Sequence, residues 1–279
     1  MTRVTVVAQR VKWLACLMLA LAVASAAQAP PQHARVELLS RQEAASAGTD
    51  LELGVHFALD PGWHIYWVNP GDSGQPPVLK WQLPVGVTAG ALEWPRPERM
   101  QPSAELADFG YHDDVLLPIA LHTGKSTSPG SSIDISADAR WLICREVCIP
   151  ERAQLHLAVP VAATAKLNPQ SAPMFARTEK LLPQPLPRGW KAWVQSGKED
   201  FKLTLATGKT ITAAQFFPLD PGQIDNPSPQ KVHPTVTGFT MSLKKSDLLL
   251  KPITVLRGVL VVPGGAAYRI EAPVRQSVQ

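Results

Sequence analysis

Twenty-seven prolines are scattered through 279 residues instead of being gathered in one tract, about twice the usual share of roughly 5%. This distribution constrains the fold more than any other feature. Proline lacks a backbone N–H and fixes φ, so a helix interior holding one loses about 3 kcal/mol. Long helices are therefore disfavoured, and many short strands joined by turns are expected. The apolar pattern agrees. Leu51, Leu53, Val55 and Phe57 alternate with Glu52, Gly54, His56 and Ala58, a half-buried strand of period two, preceded by Val36 and Leu38 on one parity. Asp60-Pro61-Gly62 turns the chain, and His64 to Val68 reads as the next strand. Further strands are expected at 79–83, 115–121, 133–142 and 154–159, each bounded by Pro, Gly or Ser, and this spacing implies a β-sandwich.

Between Ala162 and Arg188 the character changes. Met174 to Leu182 has helical composition, and Pro183, Pro185 and Pro187 form a stiff extended segment. Alternation resumes at Phe201, Leu203 and Leu205, then at Phe239, Met241 and Leu243, and finally over 255–262 and 268–272. The reading is all-β: a first sandwich over 35–162, a Pro-rich linker with a short helix over 163–188, and a second sandwich over 189–279. The second holds no cysteine and only His233 among histidines, so little chemistry is assigned to it.

Residues 1–26 read as a secretory signal peptide. Arg3, Arg10 and Lys12 accompany an apolar run ending in small residues, and Ala24-Ser25-Ala26 offers the cleavage site, so the mature chain is expected to start near Ala27. Cys16 lies in the middle of the run, with Leu17 to Val23 still to come, which disfavours lipidation. Subtracting the three basic residues from a formal charge of +4 leaves +1, too little to suggest nucleic acid or an anionic surface as a partner. No later stretch is long and apolar enough to span a bilayer, so no membrane insertion is expected after signal cleavage.

Two cysteines then remain, four residues apart in Trp141-Leu142-Ile143-Cys144-Arg145-Glu146-Val147-Cys148-Ile149-Pro150, and in an oxidising compartment they should pair. A strand, a three-residue turn and a second strand bring their Cα atoms to about 5 Å, within disulfide reach. Such a bond closes only a short loop, so it constrains the unfolded chain little and is a poor staple. Exchange is favoured on this ground, with a structural bond and a metal site remaining as alternatives. The C-x3-C-x-P run also resembles the copper site of the Sco chaperones, two thiolates and a histidine, for which His64, His112 or His122 would supply the third ligand. The Sco proteins, however, are thioredoxin-like, and no βαβ alternation is present in this half.

A wider pattern surrounds the pair: Trp63-His64-Ile65-Tyr66-Trp67-Val68-Asn69-Pro70-Gly71-Asp72-Ser73-Gly74, then Trp94-Pro95, then Phe109-Gly110-Tyr111. From about Val36 to Pro160 the sequence resembles the periplasmic N-terminal domain of the thiol:disulfide interchange protein DsbD, in the variant found in ScsB-like proteins. Phe216-Phe217-Pro218 and Pro221-Gly222-Gln223-Ile224 look like the additional sandwich of ScsB-like members. The resemblance implies an immunoglobulin-like fold. It implies periplasmic work in which Cys144 and Cys148 relay electrons from a membrane-embedded thiol reductase to thioredoxin-like or disulfide-isomerase-like clients, with Cys148 attacking the partner and Cys144 resolving. It also places a mobile cap loop at Asp108, Phe109 and Tyr111, with Phe109 as a lid over the sulfurs; the alternative is that Phe109 and Tyr111 are core aromatics. Trp63 to Trp67 is read as packing, and Asn69 to Gly74 as a turn, either near the site or a tight connection needing positive φ at its glycines. Exchange of this kind requires no cofactor. The transmembrane bundle and thioredoxin domain of full-length members are not seen in this sequence. The electron source is expected in a separate membrane protein or in a longer polypeptide, unless the domain has been reused for binding. The competing functions are a copper-binding protein and a non-catalytic adaptor with a structural disulfide.

Overall fold

The structure, a computed structural model, describes residues 32–46, 48–123 and 128–276. The expected signal peptide, Cys16 and the Ala27 start lie outside the described residues. Among the described residues no helix is long and apolar enough to cross a membrane.

The first half contributes β1 (Ala34–Ser40), β2 (Gln42–Ser46), β3 (Leu51–Leu59), β4 (His64–Gly71), β5 (Val78–Gln82), β6 (Val87–Ala89), β7 (Glu98–Ser103), β8 (Leu106–His112), β9 (Asp114–Thr123), β10 (Ser132–Cys144), β11 (Cys148–Ala162) and β12 (Lys166–Leu167). The single described helix, α1 (Ala172–Glu179), follows. The second half contributes β13 (Lys191–Ser196), β14 (Asp200–Ala206), β15 (Gln215–Pro218), β16 (Lys231–Thr235), β17 (Gly238–Lys244), β18 (Val255–Val261) and β19 (Ala267–Gln276).

In the first half a four-stranded sheet, β1-β3-β9-β6, faces a larger one ordered β12-β2-β11-β10-β4-β8-β7, with β5 added on β10. The alternation in β3 and β10 is what makes this sandwich. Leu51, Leu53, Val55 and Phe57 from one sheet and Ile133, Ile135, Ala139, Trp141 and Ile143 from the other enter one buried cluster. Each large apolar side chain so buried contributes about 1.5–3 kcal/mol. Trp63, immediately before β4, and Ile65 and Trp67 on the core side of β4 are all buried, as the packing reading of this stretch expects.

The second half runs as one hydrogen-bonded path, β15-β18-β19-β13-β14-β17-β16. Its two ends bury side chains against each other: Phe216, Leu256 and Leu260 from one end meet Phe201, Leu203, Phe239 and Met241 from the other. The path therefore folds over on itself into a second sandwich. The architecture is all-β, as the dispersed prolines indicate. Several strands lack clear alternation in the sequence, among them β2, β7 and β16, and these are mostly exposed edge or end strands that bury few side chains.

The chain from His33 onward is one compact unit. Phe217, Val259 and Ala267 from the second half enter the first half's core cluster. Phe217 meets Trp67 edge-on at 6.3 Å between ring centroids and Phe109 at 5.2 Å, the arrangement aromatic quadrupoles favour. The proline-rich segment is also tied down, because Gln184 donates its N–H to the Ala267 carbonyl and accepts one from the Arg269 N–H.

Candidate functional site

Strands β10 and β11 are paired without a break from Ser132↔Pro160 to Cys144↔Cys148, so the two cysteines form the last rung of a long hairpin. The turn Arg145-Glu146-Val147 closes it, and all three residues are exposed. Cys144 and Cys148 are joined by a disulfide with their Cα atoms 4.1 Å apart, the cross-strand geometry anticipated from their spacing. The two sulfurs are not equivalent. Cys144 is 2% exposed, whereas Cys148 lies open at the sheet edge.

The alternation of β4 explains what covers the pair. Trp63, Ile65 and Trp67 take the core parity, so His64 and Tyr66 project from the opposite face, the one that carries Cys144. Cys144 is paired with His64, and His64 in turn with His112, one row across three strands. Two residues along, the Tyr66 hydroxyl donates to the Cys144 sulfur at 2.9 Å and lies 3.6 Å from that of Cys148. Tyr66 is 1% exposed despite pointing away from the core. The turn after β4 seals it: a Cβ on Gly74 would fall 2.1 Å from the Tyr66 ring, so only glycine fits, and Gly74 has φ +80°.

Burial raises the Tyr66 pKa above its usual value, the Ser73 side chain opposes the rise by hydrogen bonding, and the charge of Asp108 reinforces it. Tyr66 thus remains a protonated donor toward sulfur. Burial also lowers the His64 pKa, with a further contribution from His112, against an opposing pull from Asp108. Its Nε2 is buried without a hydrogen-bond partner, as suits a neutral imidazole. A histidine whose folded pKa lies below its ordinary value near 6.5 destabilises the fold as pH falls, because the unfolded chain then binds more protons. Chemical denaturation from pH 7.5 down to 5 should show stability falling below about pH 6.5, and His64→Gln should flatten that slope.

On the other side of the turn, Arg145 lies over the Trp63 ring at 5.2 Å, and His33 stacks on Trp63 at 3.8 Å. The guanidinium is thereby parked on an aromatic face beside the turn that joins Cys144 and Cys148.

The residues expected to form a cap loop occupy other places. Asp108 is buried and accepts hydrogen bonds from the Ser73 N–H at 2.9 Å and the Ser73 hydroxyl at 2.7 Å. Phe109 is fully buried within β8 against Phe217, so it is a core aromatic here and not a lid on the sulfurs. Tyr111 is likewise buried, its hydroxyl donating to the Pro95 carbonyl at 2.7 Å. The aromatic that reaches the sulfurs is Tyr66, which the sequence reading grouped with the packing residues. Its parity, opposite to Trp63, Ile65 and Trp67, is the signal that marks it.

The histidines weighed as metal ligands are spread out. His64 and His112 lie one after the other on one side of Cys144, with ring centroids 5.6 Å apart, and His112 contacts Glu98 through Nδ1. His122 pairs with Asp50 on the other sheet. Among the described residues no group of three or more His, Cys, Asp or Glu is arranged to hold a metal ion.

This outer-face disulfide with its tyrosine can be set beside known proteins. The family model described as the N-terminal region of the thiol:disulfide interchange protein DsbD matches residues 35–160. Residues 35–160 form a DsbD N-terminal-type domain. The matched span takes in Cys144, Cys148, His64 and Tyr66, so the whole site lies within the DsbD N-terminal-type domain. Among solved structures, the N-terminal periplasmic domain of ScsB from Proteus mirabilis aligns with a TM-score of 0.67 at 18% identity, covering 90% of this chain and 97% of that one. At that identity the likeness establishes a common fold. The YadV chaperone aligns at a TM-score of 0.21 and 12% identity, covering 85% and 99% of the two chains. The pilin subunit BcpA of Bacillus cereus aligns at 0.26 and 9%, covering 87% and 69%. Neither resembles this chain closely enough to support an argument. No curated protein matches the sequence.

Proposed function

We propose that this protein is a periplasmic thiol–disulfide exchange component in which Cys144 and Cys148 relay electrons from a membrane-embedded thiol reductase to thioredoxin-like or disulfide-isomerase-like clients. The observation that carries this reading is the asymmetry of the pair: an exposed Cys148 bonded to a buried Cys144 whose sulfur receives a tyrosine hydroxyl. Membership of residues 35–160 in the DsbD N-terminal family supports it.

Exchange begins when a donor thiolate attacks the Cys148 sulfur. The electron pair of the Cys144–Cys148 bond passes to Cys144, which leaves as a thiolate. Departure is assisted by the Tyr66 hydroxyl, since a hydrogen bond to the developing anion is stronger than one to the neutral sulfur. The donor's second thiolate then attacks its own bridged sulfur and releases Cys148 as a thiolate. The reduced pair holds two electrons. Against a client disulfide, Cys148 attacks, the client releases one thiolate, and Cys144 resolves the mixed disulfide by attacking Cys148, which re-forms the original bond and frees the second client thiol. Two electrons pass and no cofactor is needed.

Tyr66→Phe keeps the ring and removes the donor. It is expected to slow reduction of the pair by dithiothreitol about tenfold, the equivalent of one hydrogen bond to a developing charge, with little change in melting temperature. Stopped-flow tryptophan fluorescence measures the rate, and an unchanged rate would remove the hydroxyl from the mechanism. The relay itself is tested by mixing the reduced protein with an oxidised thioredoxin-fold client: no electron transfer above that of a Cys144→Ala/Cys148→Ala variant would overturn it.

A further inference from the structure

The second half contacts the redox site through the turn that seats Tyr66. Asn69 and Asp72 in that turn reach into the second half. The Asn69 Nδ2 donates to the Pro218 carbonyl at 2.8 Å, and its Oδ1 accepts the Gly71 N–H at 3.1 Å. The Asp72 Oδ1 accepts from Asn226 Nδ2 at 2.8 Å, while its Oδ2 accepts the Ala107 N–H at 2.8 Å. Asn69 and Asn226 are 2% and 5% exposed; the Asn69 bond is shielded from bulk water, whereas the Asn226 bond ends on Asp72, which is exposed. The next residue, Ser73, donates twice to Asp108, and Gly74 then lies against the Tyr66 ring. Between the two ties, Phe217 fills the space beneath β4 and β8 against Trp67 and Phe109. An unbroken series of contacts thus runs from Asn226 through Asp72, Ser73 and Gly74 to Tyr66 and the Cys144 sulfur.

We infer that the second half is a positioning element of the redox site: by fixing Asn69 through the Pro218 carbonyl and Asp72 through Asn226, it holds the turn 69–74 closed and keeps the Tyr66 hydroxyl on Cys144. Asn226 is a positioning residue that never touches sulfur. The inference rests on the exchange reading proposed above and gives the second half a part in it. Its physical basis is that a hydroxyl assists a leaving thiolate only when held in line beforehand, and that the ties to Pro218 and Asn226 add to the bonds with Ala107 and Asp108 in restraining a six-residue turn that contains two glycines at positive φ.

The test is a double-mutant cycle in the full chain. Asn226→Ala alone should slow reduction by dithiothreitol about fivefold to tenfold, approaching the Tyr66→Phe rate, and in a Tyr66→Phe background it should cause no further slowing. Asn226→Asp, which sets a second carboxylate against Asp72, should slow the wild-type background at least as much. Thr204→Val, in the second half but remote from the turn, should leave the rate unchanged. Tyrosine 13Cζ NMR supplies a readout that simple destabilisation would not move: the Tyr66 resonance should shift in Asn226→Ala while those of Tyr111 and Tyr268 stay in place. If wild type is reduced faster than Tyr66→Phe yet Asn226→Ala matches wild type, or slows both backgrounds equally, the positioning role is overturned and the exchange reading stands. If wild type is reduced no faster than Tyr66→Phe, the hydroxyl's role in exchange fails and the positioning role fails with it.

Discussion

A Cys144→Ala variant is expected to accumulate stable mixed disulfides through Cys148, whereas Cys148→Ala should trap almost none. The reason is access. Cys148 is exposed and Cys144 is 2% exposed beneath Tyr66. For Cys144 to react, the turn over Tyr66 must open, and an opening of about 3 kcal/mol reduces the reactive population roughly a hundredfold. Alkylation by iodoacetamide should differ by about that factor between the two single variants, once each is corrected for its thiolate fraction. Both should lose turnover, since each lacks either the attacking or the resolving sulfur. Equal alkylation rates would show that the buried position of Cys144 does not persist when the bond is open, and the assignment of Cys148 as the attacking sulfur would then have to be abandoned.

The largest stability effect is expected at Phe217. Phe217→Ala removes the ring that meets Trp67 and Phe109, leaving a cavity lined by residues of both halves. Truncations of this kind cost about 3–5 kcal/mol. Because Phe217 belongs to the first half's core cluster although it lies in β15, the loss should fall on one cooperative transition and not on the second half alone. Urea unfolding followed by tryptophan fluorescence and by far-UV circular dichroism should give coincident curves, both shifted to lower denaturant. Two separated transitions would show that the halves are energetically independent and that Phe217 does not couple them.

The features legible in the sequence were those governed by local periodicity. Leu51 to Phe57 alternates because one face of β3 enters the apolar core, and that pattern is legible even though Gly54 and His56 on the other face are buried too. The cysteine pair was equally legible, since spacing plus a strand–turn–strand reading determines a cross-strand rung. What could not be read were contacts between distant segments. Asn226 and Asp72 are brought together from opposite halves, and nothing in either local sequence announces the partner. Phe109 illustrates the opposite failure: its place in a family motif suggested a lid, but whether an aromatic covers a site or fills a core depends on strand parity and on what packs beneath it. Here Phe217 packs beneath it. Tyr66 is legible by the same rule, because its parity separates it from Trp63, Ile65 and Trp67 within the aromatic run.

The hairpin that carries the cysteines has a consequence for how the protein is read by others. Thirteen consecutive cross-strand pairs from Ser132 to Cys144 hold the backbone of the pair in register whether or not the sulfurs are bonded. Breaking the bond therefore removes one link from a ladder that is already complete, and little shape change can follow. Under the exchange function proposed above, a partner could not sense the oxidation state as a moved loop or an altered surface, as it could where a disulfide pins a flexible segment. It must make contact and test the sulfur chemically, so discrimination between reduced and oxidised protein would come from reaction rates after docking, with both forms competing for the same partner surface.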